Sequence, residues 1–160
     1  MPFTKTPPAS LPAVDVVDAS YLQTLLGYNA RRAALSIIEV FLQRMAVYAL
    51  RPVDFSVLSV IAHNPGVTSR QLCTTLGILP PNFVAMLANL EKRELVERLP
   101  HPSDKRAVAL QLTPAGEKLM RDAERTAETL ELDASARLSN AERKTLMRLL
   151  QKIYLPQAQT

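Results

Sequence analysis

Leu90-Glu91-Lys92-Arg93-Glu94-Leu95-Val96-Glu97-Arg98, then His101-Pro102-Ser103-Asp104-Lys105-Arg106-Ala107, then Leu110-Gln111-Leu112-Thr113-Pro114-Ala115-Gly116 is the stretch whose reading decides the fold. It begins as the polar end of a helix and runs into an apolar strand, Leu95 to Leu99. A second strand is predicted from Arg106 to Leu112, where Val108, Leu110 and Leu112 alternate with Ala107, Ala109 and Gln111 as in a half-buried strand. Between them, His101 to Lys105 holds Pro102, Ser103 and Asp104, residues that favour turns. The outcome is a β-hairpin with a basic tip.

Upstream, Thr68-Ser69-Arg70-Gln71 has the form of a capping box, so a helix starts there with Leu72 and Leu76 inward. Gly77 breaks it. Pro80-Pro81 restart a helix from Asn82 to about Arg93, with Val84, Leu87 and Leu90 inward. Two short helices joined by a glycine turn are the helix-turn-helix pattern, and the hairpin adds a wing.

The flanks are helical. From about Ala19 to Ala49, apolar residues from Leu22 to Tyr48 recur at helical spacing in a stripe wide enough for more than one neighbour. Pro52 opens a helix to about His63 with Phe55, Leu58, Ile61 and Ala62 buried, and Asn64-Pro65-Gly66 is a turn. Thr113 caps a helix with Pro114 at its first position and Leu119, Ala123, Thr126 and Leu130 on one face. Ser139-Asn140-Ala141-Glu142 caps a last helix bearing Leu146, Leu149, Leu150 and Ile153. The expected class is mainly α with a small β-hairpin wing: residues 1–18 an N-terminal arm, flexible or packed on a partner, and 19–160 a single domain. Within it, 52–112 form the winged unit, and 19–50 and 113–155 the flanking helices.

Composition narrows the function. With 160 residues, 48% hydrophobic and 21% charged, the chain suits a folded domain, and its net charge of +4 permits an anionic partner. One cysteine, Cys73, and two histidines leave no disulfide and no metal cluster in prospect. No paired carboxylates or nucleophile–base set appear, so neither an enzyme nor a cofactor is expected. Neither a signal peptide nor a membrane span is read, and a cytoplasmic location is the default expectation.

A helix-turn-helix lays its second helix in the DNA major groove, so the outward candidates are Asn82, Phe83, Ala85, Met86, Asn89, Lys92 and Arg93. Asn82 and Asn89 suit adenine, and Lys92, Arg93 and Arg98 suit phosphate. Phe83 and Met86 either touch a thymine methyl or belong to the core. Thr68, Ser69, Arg70 and Gln71, at a helix N-terminus, are phosphate candidates. Arg106 at the wing, beside Lys105 and oriented by Asp104, suits a narrow minor groove; the other reading is a solvated polar turn.

These same residues resemble the MarR family of bacterial regulators. The run from Leu90 to Arg98, Pro102-Ser103-Asp104-Lys105-Arg106-Ala107 and Leu112-Thr113-Pro114-Ala115-Gly116 match its strand, wing and next helix in combined spacing. The resemblance implies a homodimer held by the first helix and the last two, reading a pseudo-palindromic operator, with Arg106 the wing arginine and Asp104 its aspartate. Lys105 replaces a more usual arginine, and Asn82 and Ala85 stand where many relatives place serine and arginine. It also implies repression relieved by a small aromatic or anionic effector, for which Asn29, Arg32, Tyr48, Phe55, Leu58 and His63 are the candidate lining residues. Arg51 to Ser59, His63-Asn64-Pro65-Gly66 and Leu79-Pro80-Pro81-Asn82 are similar to the branch that represses nicotinate catabolism, which implies a hydroxynicotinate. Two alternatives stand beside this: a helical dimerisation or adaptor module that binds no DNA, and an oxidant-sensing regulator using Cys73.

Overall fold

The computed structural model describes residues 15–101, 103 and 107–155. Two units are distinguished, Met1–Ala34 and Leu35–Thr160. In the first, the single long helix expected from Ala19 is interrupted: α1 (Ser20–Gln23) ends before α2 (Leu26–Met45) begins. The break is made by side chains that compete with the helix backbone. Asn29 Nδ2 donates to the carbonyls of Gln23 and Leu25, each at 2.8 Å, and Thr24 Oγ1 donates to that of Tyr21.

In the second unit, α2 passes into a 3₁₀ turn, Ala46–Tyr48, closed by Ala49 in the left-handed region at φ 49°. Helix α3 (Pro52–His63) follows, with proline at its first position as predicted. Then come β1 (Val67–Thr68), α4 (Ser69–Leu76), α5 (Pro80–Lys92), β2 (Val96–Pro100), β3 (Val108–Leu112), α6 (Pro114–Ala134) and α7 (Asn140–Tyr154). The three strands form an antiparallel sheet in the order β1-β3-β2, with Val67 opposite Leu110 and Val96 opposite Leu112. β1 is too short to leave a period of its own, and its Thr68 is also the cap of α4.

The expected caps are all present. Thr68 Oγ1 accepts the Gln71 N–H at 3.3 Å while Gln71 Oε1 accepts the Thr68 N–H at 2.9 Å. Ser139 and Glu142 repeat the arrangement at α7, and Thr113 Oγ1 accepts the Gly116 N–H at 3.1 Å. Gly77 ends α4 at φ 63°, a conformation that favours glycine and turns the chain from α4 toward α5.

One core binds the unit. Val57, Leu58 and Ile61 from α3, Leu72 from α4, Phe83, Leu87 and Leu90 from α5, Leu110 and Leu112 from β3, and Met120, Ala123 and Leu130 from α6 are buried together. Helix α5 departs from expectation in phase, and β3 at its first residue only. Val84 is exposed, not inward, and Phe83 takes the buried place. On β3, Leu110 and Leu112 are buried as expected, while Val108 at the start of the strand is exposed and Ala109 is covered as well.

Asp54 is a buried charge, only 5% exposed, that the sequence reading did not single out. Its carboxylate accepts from the Arg51 guanidinium at Nε and Nη2, both 2.8 Å, and from the Arg51 N–H at 3.2 Å. Burial alone would push its pKa up. The hydrogen bonds from Arg51, with the positive charges of Arg51 and Arg93, outweigh that and hold it below its ordinary 3.8. A carboxyl depressed on folding contributes stability that is complete above the unfolded pKa and vanishes as pH falls through the folded one. Asp54→Asn should therefore lose about 1–3 kcal/mol at pH 7, and urea titrations should show the gap to wild type closing below pH ~4. A gap independent of pH would mean that the charge of Asp54 contributes nothing.

Candidate nucleic-acid interface

α4 and α5 meet across the Gly77 turn, and the core contacts of α5 decide which of its residues face out. Phe83, Leu87 and Leu90 are inward, and Met86 is partly buried against the same core. Asn82, Val84, Ala85, Ala88, Asn89 and Lys92 are exposed. Phe83, at 2% exposure, is thus not a base reader, and Met86 packs mainly inward.

Two arginines also change role. The Arg93 guanidinium donates to the Tyr48 carbonyl at 2.8 Å and the Ala49 carbonyl at 3.0 Å, tying the end of α5 to the turn before α3. It is a structural clamp, not the free phosphate contact expected of it. Arg98, on β2, is exposed but paired with Glu91, its Nη2 donating to Oε2 at 3.1 Å. Pairing holds the guanidinium toward α5, so it presents charge from a fixed position.

Thr68, Ser69, Arg70, Gln71 and Arg98 are brought together around an open depression of about 430 Å³, which His101, Ala107 and Val108 complete. Thr68 and Gln71 spend polar atoms on their capping box, and Arg70 is exposed. A neighbouring, more apolar cavity of about 500 Å³ lies between α4 and α5; Arg70, Cys73, Phe83, Val84 and Arg98 are among its walls. Basic side chains thus stand beside the outward face of α5. Asp104, Lys105 and Arg106, the expected wing contacts, lie outside the described residues.

The four candidate effector residues of the second unit do not line one cavity. Leu58 is fully buried in the core and is not a wall of the cavities beside Phe55 or His63. The Tyr48 hydroxyl is bound to the Asp122 carbonyl at 3.2 Å and Thr126 Oγ1 at 2.9 Å. His63 Nδ1 donates to the Ser59 carbonyl at 2.9 Å and borders a polar cavity of about 320 Å³ with Gln111, Arg121 and Glu124. Phe55 alone of the four lines an apolar cavity, of about 280 Å³, between α2, α3 and α6. Its other walls include Ile37, Phe41, Pro52, Ser56, Ala127 and Leu130, and the rings of Phe41 and Phe55 meet edge-on at 5.7 Å. Ile37, Phe41 and Leu130 were visible in sequence as core positions, and periodicity does not separate a core wall from a cavity wall. Asn29 and Arg32 belong to the first unit, where the Asn29 amide is used at the break after α1.

Two short helices with an exposed second helix, a basic surround and an adjoining hairpin are the parts of a winged helix-turn-helix DNA-binding protein. A family model described as MarR family matches residues 50–107. A regulatory protein for the hcr operon of Thauera aromatica is 31% identical over 136 residues, covering 84% of this chain and 82% of its own. Among solved structures, the transcriptional repressor CouR bound to a 23-mer DNA duplex superposes with a TM-score of 0.81 at 40% identity, covering 86% of this chain and 98% of that one. CouR bound to p-coumaroyl-CoA gives a TM-score of 0.78 at 37% identity, covering 88% and 99%. The chain belongs to the MarR family of DNA-binding transcriptional regulators, which are not enzymes. Among the described residues, no single helix is long and apolar enough to cross a membrane.

Proposed function

We propose that the chain is a repressor that binds a pseudo-palindromic operator as a homodimer and is released by a small aromatic effector. The outward face of α5 beside Arg70 and Arg98 carries the DNA-binding part. Thr68 to Gln71 sit at the backbone of the half-site, Asn82 and Asn89 at base edges, Lys92 at phosphate, and the wing residues Asp104, Lys105 and Arg106 at the adjacent minor groove. The DNA duplex in the CouR complex supports the same reading.

The homodimer rests on α7. It is an amphipathic helix of 15 residues with none buried, and Leu146, Leu149, Leu150 and Ile153 are all exposed. An apolar face of that length in water is a cost that a second copy removes. Leu150→Glu should give a monomer by sedimentation equilibrium, and a variant that remains dimeric would move the interface elsewhere. The half-sites should be centred about 10 bp apart, or a multiple of that.

For the effector, the apolar cavity walled by Phe41 and Phe55 has the better claim. At about 280 Å³ it suits a single aromatic ring more than a large ligand. p-Coumaroyl-CoA in CouR carries an aromatic acyl group on a carrier, and a hydroxynicotinate would bring a single heteroaromatic ring as a free acid. Ring entry would wedge α3 from α6, and α3 packs directly on α4 and β3.

The test is binding of the protein to DNA from its own promoter, measured against salt and against a panel of free aromatic acids and their thioesters. A steep negative log–log salt slope and release by one panel member are expected. Salt-independent behaviour would favour a dimerisation or adaptor module. Arg106→Ala should cost about 1–3 kcal/mol of operator binding with the dimer intact. Unchanged affinity would remove the wing from the mechanism. Cys73 is half-buried against the core, and loss of DNA binding in peroxide that Cys73→Ala prevents would turn the reading to an oxidant sensor.

A further inference from the structure

We propose that Val84 is a sequence-reading side chain of this regulator, and that it reads the 5-methyl group of a thymine in the major groove. The inference rests on the DNA-binding reading above. Val84 is 64% exposed on a helix whose other large apolar residues near it, Phe83 and Leu87, are buried. Nothing in the fold uses its side chain as core. In a helix, valine is also a poorer choice than the alanines at 85 and 88, because branching at Cβ restricts its rotamers.

The surroundings specify the occupant. Val84 shares a largely apolar cavity wall with Arg70 and with Arg98, the latter paired with Glu91, so an exposed apolar group stands beside basic side chains, the combination that a nucleic acid presents in reverse. A phosphate backbone answers the arginines. In the major groove, thymine is the base that offers a methyl group to an apolar side chain.

The face of α5 is built for this approach. With about 100° per residue, Ala85 and Ala88 lie in the middle of the exposed face, Val84 at one edge, and Asn82 and Asn89 at the other. The small central residues let the helix axis come close to the base edges. Val84 then meets a thymine methyl while Asn89 takes the adenine edge. Five residues advance about 7.5 Å along the helix, or about two base-pair steps. Each half-site should thus hold a thymine and an adenine about two steps apart, the first read by shape and the second by hydrogen bonds.

The experiment uses the full chain and operator duplexes in which single thymines are replaced by deoxyuridine, which removes the methyl and keeps the pairing. With wild type, one thymine per half-site should lose about fourfold in affinity on replacement, the worth of about one buried methyl group. Val84→Ala should bind the unmodified operator about fourfold more weakly and should not respond to that deoxyuridine, while Val84→Ile keeps the response. Circular dichroism melting checks that both exposed-site variants fold. If Val84→Ala binds as wild type does, or stays sensitive to the same deoxyuridine, the assignment is wrong. Failure of wild type to bind any promoter fragment would instead overturn the DNA-binding reading, and this inference with it.

Discussion

Replacing Gly116 with alanine should lower stability by about 3 kcal/mol or more, a Tm loss of roughly 6–12 °C for a domain of this size. A Cβ built on Gly116 would lie 2.1 Å from the Leu95 carbonyl oxygen and 3.3 Å from the Leu112 Cβ. The first of these is backbone, so no side-chain rotation relieves it. The carbonyl is itself fixed, because it accepts the Thr113 N–H at 3.1 Å. The start of α6 is thus pressed against the start of β2, and only a hydrogen fits between them. The check is differential scanning calorimetry, together with operator binding at a temperature where the variant is folded. A Tm within 2 °C of wild type would mean that β2 and α6 part easily. That would contradict the close approach described here.

Phe83→Ala should cost about 3–5 kcal/mol, the usual loss for a buried phenylalanine. Phe83 is among the largest fully buried side chains of the unit and holds α5 against the rest of the core. Loss of DNA binding in this variant should track unfolding, with affinity recovered on cooling or in a stabilising osmolyte. Asn89→Ala is the contrasting case, since its side chain is exposed: stability should stay within ~0.5 kcal/mol while operator affinity falls. A Phe83→Ala protein with native stability and no DNA binding would return Phe83 to the base-reading role that its position in sequence allowed.

The two substitutions differ in how far the sequence foretold them. Gly116 was visible as part of Leu-Thr-Pro-Ala-Gly, and its turn into α6 was legible because Thr113 and Pro114 are local signals. That glycine was required by contact with Leu95 was not, since the contact spans a β-hairpin. Phe83 was more legible than the expectation made it. Phe83, Met86, Leu87 and Leu90 form a complete i, i+3, i+4, i+7 stripe on α5, whereas the same spacing from Val84 reaches Ala88 and Glu91. The period therefore already favours Phe83 inward, and the expectation that Val84 is inward misjudged it.

The sequence by itself determined the order of the longer helices and of the two hairpin strands, the two capping boxes, the proline starts of α3 and α6, the glycine stop after α4, and membership of a winged helix-turn-helix class. Each is written in residues within a few positions of one another, and short-range hydrogen bonds and steric limits act at that range. Tertiary structure decided the rest. It committed Arg93 to the carbonyls of Tyr48 and Ala49, buried Asp54 beside Arg51, and hollowed a cavity beside Phe55 while closing the space around Leu58. Those outcomes depend on which surfaces meet across long stretches of chain. Burial and pairing energies there exceed the small local preferences that a pattern of residues can express.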